Sequence, residues 1–434
     1  MNSELVAAST SNERKVVPTP KRRFPEFSNS DGWRVRKLNE LLFEAKQRNR
    51  SLELGPSDVL SVSGEYGCVN QIEFMGRSYA GVSVKDYHVV ENGDVVYTKS
   101  PLKRNPYGII KENKGRRGIV STLYAVYRSF PDCSATYLDH YFSRDYNLND
   151  YLQPIVKKGA KNDMKVNNAD VLKGEICVPA LKQEQQEIAD CLSSMDELIA
   201  AQARRVIALN THKKGLMQQL LPREGETQPR VRFPEFQTAG DWVEIRLGQV
   251  GELIVGLTYS PDDVRDAGLL VLRSSNVQNG GIALDDCVFV DPDVKGANLS
   301  RPDDILICVR NGSAALIGKS ALIPDGMPPC THGAFMTVFR SQIPRFFYQL
   351  FKTSRYQIQV AGDLGATINS INGSQFLKYK FFVPKPPEQH RIAEFFTSLD
   401  DLLATQTRNL EVFRTHKMAL MQQLFPSMEA VRHE

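Results

Sequence analysis

The sequence predicts a mixed α/β (α+β) protein: two sheet-containing domains separated by two long antiparallel coiled-coil helices, pseudo-twofold in arrangement and pseudo-circular in chain path. Three observations lead there. Two blocks of sequence each occur twice, in the same order. The stretch closing each half carries an apolar heptad pattern. The interior of each half is a series of short apolar runs broken by turn residues.

Size and composition agree with this plan. At roughly 150 residues per domain, 434 residues make about three folding units. A content of 41% hydrophobic and 24% charged residues is ordinary for a soluble globular chain. No run approaches the ~20 apolar residues of a membrane-spanning helix. The first twenty residues have no apolar stretch longer than LVAA, which excludes a secretory signal. A cytoplasmic protein without a membrane partner is expected. The 7 cysteines are odd in number, scattered and without a CxxC pair, so neither a disulfide framework nor a zinc site is indicated. A net charge of +4 permits nucleic-acid binding without showing it.

In chain order, residues 1–19 read as a flexible tail and 20–180 as the first domain. The helix-forming stretch 181–222 and a linker, 223–228, follow. The second domain is 229–385, the second helix 386–426, and 427–434 a tail. The domains open alike: PKRRFPEF at 20–27 is answered by PRVRFPEF at 229–236. Trp33 and Trp242, the 2 tryptophans, stand at that same offset. The domains also close alike, with LKGEICVP at 172–179 and LKYKFFVP at 377–384. Between these frames the interiors show little resemblance. One scaffold presenting two different recognition surfaces is the simplest reading.

The helical block repeats as THKKGLMQQLLP (211–222) and THKMALMQQLFP (415–426). Its seam runs Ile188, Leu192, Met195, Ile199, Gln202, Val206, Leu209, Lys213, Leu216 and Leu220. The second copy gives Ile392, Phe396, Leu399, Leu403, Gln406, Leu410, Phe413, Lys417, Leu420 and Leu424. Steps of three and four are coiled-coil spacing, and the polar positions, Gln and Lys in both copies, suit register control. A ~38-residue helix is about 57 Å long, a spacer's length. Each copy supplies the partner the other needs, so an antiparallel pair is expected. The chain ends just before a third FPEF would be due. The first FPEF is therefore expected to fill that place beside the end of the second helix. Phe24, Phe27 and Trp33, with Phe233, Phe236 and Trp242, are the docking residues of these framework segments.

Each interior reads as a twisted, mostly antiparallel sheet. HVVENGDVVYTK (88–99) looks like strand, turn, strand. DDILICVR, SALIP and AFMTVFR mark strands in the second domain. Residues 101–118, PLKRNPYGIIKENKGRRG, read as a mobile basic loop suited to phosphate contact. Its candidates are Lys103, Arg104, Tyr107, Lys111, Lys114, Arg116 and Arg117, with Lys99 just before it. In the second domain polar residues fall at strand ends and in a polar loop. They are Arg273, Ser274 and Asn276; Arg310 and Asn311; Thr331 and His332; Asn369, Ser370 and Asn372. Arg pairs bidentately with guanine and Asn with adenine in the major groove, which gives these residue types a use.

Enzyme motifs fail. GSAALIGKS (312–320) lacks the first glycine of GxxxxGK[ST] at the required place, where Ser313 stands. NPYG (105–108) only faintly resembles the NPPY of amino-methyltransferases. The 7 histidines show no metal-ligand spacing, and the repeat mates His212 and His416 read as surface or partner contacts. No catalytic residue, metal site or bound cofactor is expected.

Taken together, FPEF…W opening each half, VP…EQ…IA entering each helix and LMQQL[LF]P closing it make the chain resemble the specificity (S) subunit of type I restriction-modification systems, the HsdS family. The resemblance covers nearly the whole chain. It implies two target-recognition domains, each reading one half of a bipartite, asymmetric site in double-stranded DNA, with the helices as a ruler for the spacer. It implies no catalysis by this chain. Two copies of an adenine-N6 methyltransferase (M) subunit would dock on it and bind S-adenosylmethionine, and a motor-nuclease (R) subunit can join them. The alternatives are the specificity subunit of another restriction or phage-defence system and a protein-only coiled-coil scaffold.

Overall fold

The computed structural model describes residues 17–158, 164–364 and 369–426. The chain forms two compact units, one of 1–201 with 410–434 and the other of 202–409. Most of both expected tails, 1–16 and 427–434, lies outside the described residues. The tail expected over 1–19 nevertheless meets the fold at Pro18, which is buried and accepts a bond from the Cys177 thiol at 3.2 Å.

Two long helices, Lys182–Leu220 and Pro386–Leu424, are each continuous for 39 residues, about 58 Å. Each unit takes the start of one helix and the end of the other. Within the first unit these pieces run antiparallel. Asp196 meets Lys417 at 2.5 Å, and Arg22, just before the Glu184 clasp, donates its backbone N–H to Gln423. The second unit repeats this with Lys213 on Asp400 and with Val231 donating to Gln219. Every seam position is buried or half-buried. The two seam glutamines are partners: Gln202 Nε2 donates to the side chain of Gln406 at 2.9 Å and to its carbonyl at 2.8 Å. These amides would cost about 1–3 kcal/mol if buried unpaired. Their pairing therefore fixes register at little net loss.

Each FPEF segment packs beside the end of a long helix in its own unit. Each copy forms one 3₁₀ turn, Pro25–Phe27 and Pro234–Phe236. Phe24 packs on the first unit's core with Leu420, Leu424 and Phe425. Phe233 packs on the second unit's core with Leu216, Met217 and Leu220, and its ring lies edge-on to Phe395. Phe27 and Phe236 are half-buried. Both tryptophans are buried, each edge-on to an aromatic ring at 6.4 Å, Tyr137 for Trp33 and Phe346 for Trp242.

The unlike interiors share a strand skeleton. In the first unit a four-stranded antiparallel sheet orders Leu42–Glu44, Tyr124–Ser129, Val95–Thr98 and Ile109–Glu112. The second unit orders Gly251–Val255, Met336–Ser341, Ile305–Cys308 and Ser320–Leu322 the same way. A two-stranded closure joins the ends of each domain, pairing Trp33 with Pro179 and Val243 with Val383. The remaining strands differ. The first unit has a hairpin, Leu60–Ser63 with Gly67–Asn70, and a pair, His88–Val90 with Gly118–Val120. The second has another four-stranded sheet in which Leu269–Leu272 runs parallel to Cys330–His332.

Strand, turn, strand is what 88–99 forms, His88–Val90 and Val95–Thr98 flanking a turn, although the two strands belong to different sheets. One expectation is corrected here. Residues 101–118 are not one loop, because Ile109–Glu112 is a buried sheet strand. Its β-branched Ile109 and Ile110 pair with Tyr97 and Thr98, which outweighs the surrounding charge.

Candidate nucleic-acid interface

In the first unit the basic side chains of 101–118 are held by acids and by the sheet. Lys111 is buried, its ammonium donating to Ser143 Oγ at 2.6 Å and lying 3.7 Å from Asp139. Its strand, Ile109–Glu112, is buried on both faces, and Lys111 is removed from the interface candidates. Lys114 pairs with Asp139 at 2.9 Å. Burial raises the Asp139 pKa, but Lys111 and Lys114 more than offset it, so its carboxyl lies below the ordinary value. Arg116 pairs with Glu73 at 3.1 Å and Arg117 with Glu91 at 2.9 Å, all four side chains being solvent-accessible. Such pairs hold by ~1 kcal/mol or less and can exchange for phosphates. Lys103 and Arg104 are exposed and form no ion pair among the described residues. Lys99 is half-buried, and desolvation lowers its pKa.

NPYG is a structural turn. Asn105 is buried and donates to Asp145 at 2.9 Å. Tyr107 is half-buried, packs on the core and accepts from the Tyr97 hydroxyl through its carbonyl. Gly108 sits at φ +96°, where an added Cβ would lie 2.0 Å from the Thr98 carbonyl oxygen, so only glycine fits.

In the second unit several candidates converge. Asn311 donates to Ser274 Oγ at 3.1 Å, and its backbone N–H donates to the Asn369 carbonyl at 3.3 Å. Asn369 donates in turn to the Gly312 carbonyl at 3.1 Å. Arg310 bridges Ser370 through the backbone, and its guanidinium lies 6.0 Å from the ring of Phe335, an exposed aromatic that the sequence reading missed. Asn372 caps the short helix Gly373–Phe376 by accepting from Ser374 N–H at 2.9 Å. Arg273 is half-buried and pairs with Asp286 at 2.7 Å. Thus Ser274, the strand end 310–311 and the segment 369–370 form one polar edge.

Three other candidates are buried. Asn276 is wholly buried, donating to the carbonyls of Ala283 and Asp286 and holding that turn. Thr331 is buried and donates to the Asn298 carbonyl. His332 is buried between Ser300 Oγ and the Ile254 carbonyl, and desolvation lowers its pKa. Asn276 lies in a 3₁₀ turn, and Thr331 and His332 are successive residues of a strand, Cys330–His332, that is buried on both faces, which spacing alone did not reveal. GSAALIGKS ends in the strand Ser320–Leu322, whereas a phosphate-binding loop would open a helix.

Both domains are fastened to the helices by the same clasp. Arg23 grips Glu184 through two bonds of 2.7 Å, and Arg232 grips Glu388 likewise, with Nε at 2.9 Å. Both carboxylates are almost fully buried and raise the pKa of their arginines. A second repeated brace went unread in the sequence. Arg128 grips buried Asp94, and Arg340 grips buried Asp304, each through two bonds. The signal was present as GDVVYT…VYRS against DDILIC…VFRS.

Residues 239–412 match the sequence model of the type I restriction modification DNA specificity domain. The type I restriction enzyme EcoKI specificity subunit of Escherichia coli (strain K12) is 34% identical over 173 residues, 38% of this chain and 36% of that protein. The StySPI specificity subunit of Salmonella potsdam is 33% identical over the same shares. The alignments thus span little more than a third of these relatives' length. The crystal structure of the type I restriction-modification system S subunit from M. genitalium superposes with a TM-score of 0.62, covering 94% of this chain and 100% of that one at 15% identity. At that identity the likeness concerns the fold.

Proposed function

We propose that the chain is a specificity subunit of the HsdS family of type I restriction-modification systems, the DNA-recognition component of such a complex, and performs no catalysis itself. Each domain reads one half of a bipartite, asymmetric duplex site. The paired helices set the unspecified gap, and the frames seat two copies of an adenine-N6 methyltransferase subunit that supplies S-adenosylmethionine and the chemistry. A motor-nuclease subunit joins that assembly when DNA is cut.

One observation carries this reading: the frames repeat the same ion pairs at matched positions, while the surfaces they hold do not. Arg23–Glu184 and Arg232–Glu388 are equivalent, as are Asp196–Lys417 and Asp400–Lys213. Equivalent frames suit two copies of one partner, and a twofold arrangement needs just that. Unlike surfaces suit two half-sites. In the second unit Arg310 and Asn311 have the donor sets that discriminate guanine and adenine edges. In the first, Lys103, Arg104, Arg116 and Arg117 suit phosphates, which position without specifying.

The deciding experiment maps modified adenines in the host genome with and without the gene, then repeats the map after inserting one heptad into each helix. The insertion adds about 10 Å, at most about three base pairs. Unchanged half-sites with a wider gap are expected. A gap that stays fixed refutes the ruler, and a map unaffected by deletion refutes the recognition role. Salt titration supplies a second measure. Lys103→Ala with Arg104→Ala should lower the slope of log affinity against log salt by about two units if both meet phosphates.

A further inference from the structure

The first unit carries a face that the basic segment does not explain. Tyr66, Ile72, Phe74, Met75 and Tyr79 are all exposed, Tyr66 by 59% and Phe74 by 46%. They fall on the hairpin Leu60–Ser63/Gly67–Asn70, the one-turn helix Gln71–Met75 and the strap after it. The Tyr66 and Phe74 rings are 5.1 Å apart and tilted by 52°. Left in water, each large apolar side chain forgoes roughly 1.5–3 kcal/mol of burial. Exposed apolar side chains gathered on residues 66–79, two of them with rings in contact, suit a surface that is covered in use.

The rings stand on a firm frame. Asn70 is buried, accepts from the N–H groups of Ile72 and Glu73 and donates to the Ser57 carbonyl at 2.7 Å. Gln71 donates to Ser61 at 2.9 Å and accepts from the Tyr79 N–H at 2.7 Å, tying the strap to the helix. Two arginines border the face, beside the exposed acids Glu65 and Glu73. Arg77 lies 4.6 Å from the Tyr79 ring, and Arg116, which shares a hollow with Phe74, is held only by exposed Glu73. Apolar rings at the centre and exchangeable arginines at the rim fit base edges flanked by phosphates. The major groove, about 12 Å wide, admits a two-stranded ribbon of this kind.

We propose that this face enters a groove of the duplex, with Tyr66 and Phe74 making the apolar contacts to base edges that give the first unit its sequence preference. The inference rests on the recognition role proposed above. Arg77 and Arg116 position the face on phosphates, and the rings discriminate.

The test uses the full chain co-purified with its methyltransferase subunit. The probes are duplex oligonucleotides bearing the mapped site and single base-pair changes in each half. Phe74→Ala and Tyr66→Ala together should reduce discrimination against mismatches in one half-site by at least tenfold. Discrimination in the other half and subunit stoichiometry should stay unchanged. Phe74→Leu, which keeps an apolar contact, should retain most of it and serves as the folding control. If both halves discriminate as before, the rings read nothing and the proposal falls while the recognition role stands. If the variant instead loses the methyltransferase subunit, the face is a protein contact and the proposal is wrong. If the unaltered complex shows no preference among the duplexes, the recognition role itself fails and takes this inference with it.

Discussion

The two units use the same clasp with one difference. In the first, Trp33 Nε1 adds a third bond to Glu184 at 3.3 Å. In the second, Trp242 Nε1 is buried without a hydrogen-bond partner among the described residues, and Glu388 is gripped by Arg232 alone. The lesson is that sequence repetition preserved the residues but not the redundancy of their contacts. A buried carboxylate stripped of its only cation costs about 3–5 kcal/mol, whereas one that keeps another donor loses less. Arg232→Ala should therefore destabilise the second unit by roughly that amount, and Arg23→Ala the first unit by distinctly less. Chemical denaturation monitored by the fluorescence of the two tryptophans reads both. Equal losses would mean that the indole bond contributes nothing.

The same comparison shows what could be read from one-dimensional information. Motifs at fixed offset reported the frame, because the clasp of Arg23 on Glu184 recurs with the same residue types as Arg232 on Glu388. The heptads reported the seam, because a helix face is set by spacing alone. The shared four-stranded sheet was hidden, because strands conserve alternation and burial rather than identity: Val95–Thr98 and Ile305–Cys308 have little sequence in common. Surface assignments fared worst where charge was taken for exposure. Lys111 has a basic side chain, but its strand directs it to Asp139 and Ser143. His332 and Thr331 sit at a strand end and yet face inward. The aromatic face of the first unit was missed because nothing in the spacing of Tyr66 and Phe74 reports their exposure.

A smaller effect is expected at the seam, where the repeats meet as a like pair. Gln202 and Gln406 satisfy one another, so replacing both with leucine exchanges a hydrogen-bonded pair for apolar packing and should be neutral or slightly stabilising. Gln406→Leu alone leaves Gln202 with only the backbone carbonyl and should cost about 1 kcal/mol. A double-mutant cycle by thermal denaturation isolates the coupling. Additive losses would show that the amides do not depend on each other.

An effect confined to acid pH separates the units. His140 in the first unit takes the place of Gln349 in the second, each beside the helix aspartate, Asp196 or Asp400. His140 lies 3.0 Å from Ser193 Oγ, and burial with Lys114 nearby pushes its pKa down to about 4, against the pull of Asp139 and Asp196. Because the folded value lies below the unfolded 6.5, the unfolded state binds the proton first. Stability is therefore complete above pH 6.5 and declines as pH falls toward 4, by roughly 1–2 kcal/mol at pH 5. Gln349 carries no such titration while keeping its bond to Asp400 at 3.2 Å. His140→Gln should accordingly flatten the acid side of the first unit's stability profile and leave stability near pH 7.5 within about 1 kcal/mol. His88, also pushed to about 4 by burial, keeps part of the decline in place. Denaturation midpoints at pH 5 and pH 7.5 decide the matter: a variant whose midpoints differ as much as those of the unaltered chain would show that His140 is not the group responsible.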